Sequence, residues 1–174
     1  MKMSKLVLAG SMVGMLSSGA ALAATVDGNL GINGATSNGT VDITLTVPDL
    51  VRISNLNAIT MTDNGTSYSG TDDVCVYRNF TGDYTITADG TQVPGTFTLQ
   101  DGTNASSILY TVDWGGAGLT ATTASAQTGA STTSQSCGGG TNLTLTVDAT
   151  YEEVSGASIA GAHTDVLNLV VAPN

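Results

Sequence analysis

An all-β sandwich is the fold class this sequence predicts, and three observations predict it. Apolar side chains recur with period two in short runs, the mark of half-buried strands. Clusters of Gly, Asn, Asp and Ser separate these runs at sandwich spacing, for about eight or nine strands. Helix signals are nearly absent beyond the first residues, and Thr, Val, Gly, Asn and Ser dominate the rest of the chain.

The first element is not a strand. Lys2 and Lys5 form a positive end, residues 6–16 form a short apolar core, and Ala21-Leu22-Ala23 supplies a small-x-small cleavage pattern. Residues 1–23 therefore read as a secretory signal peptide. Its apolar core is too short for a transmembrane helix, and no later stretch is longer. Cleavage after Ala23 leaves 151 of the 174 residues, enough for one domain.

Two alternating runs open the mature chain. Val26, Gly28, Leu30 and Ile32 share one face of the first; Val41, Ile43, Leu45 and Val47 share one face of the second. A polar Gly/Ser/Asn/Thr link, residues 33–40, joins them. Pro48-Asp49 interrupts the pattern, residues 50–53 resume it, and Leu56 and Ile59 continue it weakly. Asp63-Asn64-Gly65 is a turn, residues 70–73 lead into a strand at 74–78, and residues 84–88 are a strand with Tyr84, Ile86 and Ala88 inward. Asp89-Gly90 reads as a hairpin-type turn, with a strand at 95–99 and a loop from Asp101-Gly102 after it. Ile108, Tyr110, Val112 and Trp114 mark the central core strand. Leu119 and Ala121 suggest a short strand, and residues 122–136 a long surface loop. A long strand at 143–151, a loop at 152–162 and a last strand at 165–171 complete the chain.

Charge excludes several function classes. The whole chain carries −10; losing Lys2 and Lys5 with the signal peptide takes it to −12, with Arg52 and Arg78 the remaining cations. Such a chain cannot neutralise a row of phosphates, so no nucleic acid is expected as partner, and anionic lipid is disfavoured for the same reason. Cys75 and Cys137 are the two cysteines, and export favours a disulfide between them.

Constellations for chemistry are weak. His163 and Asp165 would share a strand face, but no G-x-S-x-G and no other marked nucleophile accompanies them, so no catalytic residue is assigned. Asp72-Asp73 and Asp63-Asn64 are oxygen-rich but lack a calcium-loop pattern, so no metal and no cofactor is expected. Glu152-Glu153 are neighbours that a strand would turn to opposite faces. Tyr68, Tyr77, Tyr84, Tyr110 and Trp114 suit a core better than a sugar site. Five Asn-x-Ser/Thr patterns, at Asn38, Asn64, Asn79, Asn104 and Asn142, are unremarkable in so Asn- and Thr-rich a chain.

The last strand has no element after it to cover its edge, while the N-terminus carries a spare alternating run. Strand addition between molecules answers both, and repeated head to tail it builds a fibre. In these features the sequence resembles the subunits of chaperone–usher fimbriae, particularly the archaic, spore coat protein U-like class. The signal peptide, the alternating mature N-terminus, the cysteine pair and the closing segment carry the resemblance. That segment, residues 160–171, follows the family's Ala-Gly-x-aromatic-x-Asp close with alternating Leu and Val, with His163 at the aromatic position. Residues 42–50 also look like the opening strand of such subunits.

The resemblance implies an immunoglobulin-like sandwich that lacks one strand. A periplasmic chaperone would fill the gap first. At an outer-membrane usher the extension of an identical or related pilin subunit would then replace it. It implies donor residues Val26, Gly28, Leu30 and Ile32 in an extension at 24–39, an acceptor edge at Val166, Leu167, Leu169 and Val171 in a domain at 40–174, and a route through the periplasm to a surface fimbrium serving adhesion or biofilm formation. The alternative is a free-standing secreted sandwich that binds carbohydrate.

Overall fold

The computed structural model describes Gly34 and residues 36–174. The signal segment and the run carrying Val26, Gly28, Leu30 and Ile32 lie outside the described residues. The chain divides into two units, Met1–Thr46 and Val47–Asn174. In the first, residues 36–46 carry no strand or helix and are exposed. The second holds the strands of the fold. Among the described residues no helix is long and apolar enough to cross a membrane.

The fold is the expected all-β class: an immunoglobulin-like sandwich of antiparallel sheets. One sheet has the order β1 (Val51–Ser54), β3 (Ser67–Arg78), β10 (Leu143–Thr150), β7 (Thr111–Trp114), β8 (Ala117–Gly118), with β2 (Thr62–Asp63) also paired to β3. Two three-stranded sheets complete the fold. In one, β4 (Tyr84–Gly90) lies between β12 (Leu167–Pro173) and β9 (Ser125–Gln127); in the other, β5 (Thr98–Asp101) lies between β11 (His163–Thr164) and β6 (Ser107–Leu109).

Alternation decides what is inside. Tyr84, Ile86 and Ala88 of β4 are buried, as are Leu145, Val147 and Ala149 of β10. Ile108, Tyr110, Val112 and Trp114 are buried in one unbroken alternation. The predicted single strand there is two, however. β6 pairs with β5, the backbone N–H of Tyr110 donates to Phe97 O, and β7 then pairs with β10. The segment changes sheets at Tyr110 while its apolar face stays inward. Trp114 Nε1–H donates to the Tyr84 hydroxyl at 2.8 Å inside the core, joining β7 to β4. Both side chains need a polar partner when buried, and each supplies the other's. Burial pushes the Tyr84 hydroxyl pKa up, and this bond partly opposes the shift.

Several expectations are corrected. Residues 41–47 form no strand: among the described residues no backbone pairs with them, and Val41, Ile43, Leu45 and Val47 are exposed. Residues 70–73 belong to β3, because β10 pairs with it continuously from Leu143↔Val74 to Thr150↔Ser67. Asp89-Gly90 is no hairpin turn; it ends β4, with Gly90 opposite Leu167. The 95–99 strand begins instead at Thr98, and the short strand foreseen at Leu119 and Ala121 is β8, just before them. The 122–136 loop contains β9, which zips along the free side of β4, and a bridge from Ser131 to Tyr77. Tyr151 leaves β10 for a short helix, α1 (Tyr151–Ser155), because the Thr150 hydroxyl caps it by accepting from the backbone N–H of Glu153. The expected 165–171 strand begins instead at Leu167 and runs to Pro173, and a separate short strand, β11, precedes it and pairs with β5.

The Cys75–Cys137 disulfide is formed, joining positions 62 residues apart. It ties the 3₁₀ turn at Cys137–Gly139 to β3 at the fully buried Cys75. Loop-closure entropy for such a span gives about 4 kcal/mol. The Cys75→Ser/Cys137→Ser protein is therefore expected to lose about 4 kcal/mol of unfolding free energy in guanidinium titration.

A second anchor is Asp101 at the end of β5. Its carboxylate accepts from the Thr103 hydroxyl and from the backbone N–H groups of Thr103, Ala105 and Ser106. The Thr103 hydroxyl first, then these backbone donors, lower its pKa from 3.8 to about 2. A depressed folded-state value means the stabilisation is complete above the unfolded value and fades as pH falls through it towards about 2. Denaturation midpoints measured from pH 6 down to about pH 2 are expected to fall less steeply in Asp101→Asn than in wild type.

Candidate functional site

The site is an apolar groove at the edge of the sandwich. Among the described residues β12 is hydrogen-bonded on one side only, to β4. Beside it opens a cavity of about 400 Å³. Leu56, Asn57, Ala58, Ile59 and Met61 line one side, and Asp165, Val166, Leu167 and Leu169 the other. Leu99, Tyr110, Leu145 and Val147 also line it; the last three are buried core residues and form the floor.

The first wall is an interrupted edge strand. β1 pairs with the C-terminal part of β3 and β2 with its N-terminal part, while residues 55–61 between them run beside β3 without pairing. Asn55, at φ 67°, breaks β1, a conformation that Asn tolerates better than most residues. Its side-chain amide donates to Asp73 O. The backbone N–H of Asn57 and its Nδ2 donate to the two oxygens of Asp72, at 2.7 and 3.0 Å. Gly70 lets the wall lie close: a Cβ there would stand 2.5 Å from Ile59 Cγ2 and 2.8 Å from Thr60 O.

The second wall hangs on Asp165. Oδ2 accepts from the Tyr110 hydroxyl at 2.8 Å. Oδ1 accepts from the backbone N–H groups of Thr91, Gln92 and Val166 at 3.0, 3.0 and 2.8 Å. One carboxylate thus joins the start of β12, the turn after β4 and the sheet-switching Tyr110. Burial, with the Asp165 hydrogen bond second, drives the Tyr110 pKa far above its ordinary value and keeps the hydroxyl a donor. Gly90 completes the joint, since a Cβ there would meet Thr96 O at 2.5 Å and Asp165 Oδ2 at 2.6 Å.

The expected site residues do not all meet in this groove. Val166, Leu167 and Leu169 line it; Val171 lies outside it and packs against the core. Val166 is exposed, whereas Leu167 and Leu169 are half-buried. His163 and Asp165 do not work as a pair. His163 Nε2 lies 3.0 Å from Ser106 Oγ and Nδ1 3.2 Å from Gly161 O, whereas Asp165 holds Tyr110. They separate because β11 ends at Thr164 and β12 pairs with a different strand. Ser106 is itself buried, and its Oγ accepts from the backbone N–H of Ser158, which fastens the 156–162 loop. The acidic positions are engaged as well: Asp72 by Asn57, Asp73 by the Thr144 hydroxyl, and Asp63 by Gly65 N–H and the Tyr151 hydroxyl. Among the described residues no cluster of His, Cys, Asp and Glu is arranged to hold a metal ion.

Sequence reading did not place the 56–61 wall, Leu99 or Tyr110 at the groove. The signal present was Leu56, Ile59 and Met61, an apolar set without strand period, beside a glycine at 70 in a strand-forming stretch.

No family model and no curated protein matches the chain. A chain from a solved chaperone–tip adhesin complex of CFA/I fimbriae biogenesis aligns with it at TM-score 0.45 and 17% identity, over 71% of this chain and 42% of that one. The chain thus spans less than half the length of that match, and a likeness this distant assigns no function.

Removing the Asp165 carboxylate leaves the Tyr110 hydroxyl and the backbone N–H groups of Gln92 and Val166 without their acceptor, and Thr91 N–H with Val166 O alone. Asp165→Ala is expected to cost about 2–4 kcal/mol by guanidinium titration, while Tyr110→Phe, which spares the backbone donors, costs about 1 kcal/mol.

Proposed function

We propose that this protein is a structural subunit of a surface fimbria, assembled through the chaperone–usher route by donor-strand exchange. One observation carries the reading: an apolar groove runs beside a sheet edge whose last strand is hydrogen-bonded on one side. An inserted strand would meet both unmet needs of that edge, backbone partners for β12 and side chains for the groove floor. Each aliphatic side chain buried there would contribute about 1.5–3 kcal/mol. The strand comes from the chain before β1 of an identical or related subunit. A periplasmic chaperone holds the groove until an outer-membrane usher exchanges it. The subunit is exported, passes through the periplasm, and serves adhesion or biofilm formation at the cell surface with no catalytic role.

The full chain, exported in its native host, is expected to run as a ladder of multimers in unheated SDS gels. A chain lacking residues 24–47 is expected to run as a monomer retained with its chaperone. A wild-type monomer that folds alone and never enters a ladder would overturn the reading and favour the free-standing secreted sandwich.

A further inference from the structure

Resting on that reading, we infer that the strand filling the groove is residues 41–47 of a second copy of this chain, rather than residues 26–32. The motive is an exposure pattern that a folded chain has reason to avoid. Val41, Ile43 and Leu45 are 81%, 90% and 83% exposed, and Val47 is 54% exposed. All four stand on one face of a period-two run, with Asp42, Thr44 and Thr46 opposite. Among the described residues, no backbone pairs with this run. Among the described residues the same chain therefore displays one apolar alternating run without a sheet and one sheet edge without a partner.

Length, charge and mounting all fit. The run has seven residues, as does β12, the edge it would pair with. At about 3.3 Å per residue each spans about 23 Å. The chain is strongly acidic, so copies repel one another wherever carboxylates face. Between Asn38 and Pro48 the one charge is Asp42, on the face away from the four aliphatic side chains. The groove's own carboxylate, Asp165, already accepts from Tyr110, Thr91, Gln92 and Val166. An uncharged apolar face thus meets an apolar groove with no free charge to desolvate.

The root of the run is also fixed. Asn79 Nδ2 donates to Pro48 O, Asn79 Oδ1 accepts from the backbone N–H of Leu50, and Asp49 forms an ion pair with buried Arg78 at 2.8 Å. A strand mounted on a fixed root loses less freedom on insertion than one on a long polar leash. Residues 26–32 stand beyond such a leash, the link at 33–40. The assignment moves the border between extension and domain from residue 40 to Pro48.

The test compares three full-length chains in the native host: wild type, Ile43→Asp/Leu45→Asp, and Leu30→Asp/Ile32→Asp. Ile43 and Leu45 are exposed, so the first variant is expected to keep the wild-type melting temperature and disulfide as an isolated subunit, yet lose SDS-resistant multimers at least tenfold. The second variant is expected to form the wild-type ladder. A normal ladder from Ile43→Asp/Leu45→Asp overturns the inference. If the Leu30→Asp/Ile32→Asp ladder is then lost, the fimbrial reading survives with the other run as donor; if neither variant loses it, the donor-strand reading falls too. A wild-type monomer that Ile43→Asp/Leu45→Asp destabilises would mean insertion into the chain's own groove, and also overturns the inference.

Discussion

A sheet edge is a row of backbone donors and acceptors above a row of side chains, and a folded chain must satisfy both. Here β12 satisfies one side through β4 and leaves the other open. The other wall of the cleft is itself an edge interrupted between β1 and β2. Two half-finished edges thus face one cleft, whose floor is the buried core pair Leu145 and Val147. Unguarded edges are a hazard for a protein in isolation. The hazard becomes the binding surface when a strand of complementary pattern is supplied from outside.

Polar side chains hold both walls of that cleft in shape. Asp165 gathers five donors, Asp72 clamps Asn57, and Asn55 ends β1 and ties the wall to Asp73 O. Asp101 gathers a loop next to the same region, and Ser106 fastens another. Asp63, Asp72, Asp73 and Asp165, which looked available for metal or acid–base chemistry, are instead occupied as hydrogen-bond acceptors. A carboxylate surrounded by backbone N–H groups is a rigid joint, and rigidity here sets the distance between the two walls.

The inward faces were legible because period two survives wherever a strand lies on a core. Tyr84-Ile86-Ala88 and Ile108-Tyr110-Val112-Trp114 were read correctly for that reason. Partners were not legible, because alternation records which side is buried and not which strand lies beside it. Hence the change of sheet at Tyr110 and the pairing of β9 with β4 were invisible. Asp89-Gly90 misled because a turn dipeptide also suits a strand whose neighbour comes too close for a side chain. Of the groove, the β12 side was readable as an alternating run without an obvious cover. The 56–61 side was not, since its shape comes from a left-handed Asn and a close approach at Gly70 rather than from any period.

The joint at the start of β1 has a mechanical side. Pro48 and Leu50 are hydrogen-bonded to Asn79, Asp49 is paired with Arg78, and the next four residues form a ladder with the end of β3 from Val51↔Arg78 to Ser54↔Cys75. Ladder bonds lie across the strand direction. Tension applied at Pro48 along β1 therefore loads that whole ladder in shear, so its bonds share the force instead of opening one after another. The last rung is Cys75, covalently bound to Cys137. Traction entering the domain there passes from an ion pair to a sheared ladder and then to a covalent bond, each step harder to part than the one before.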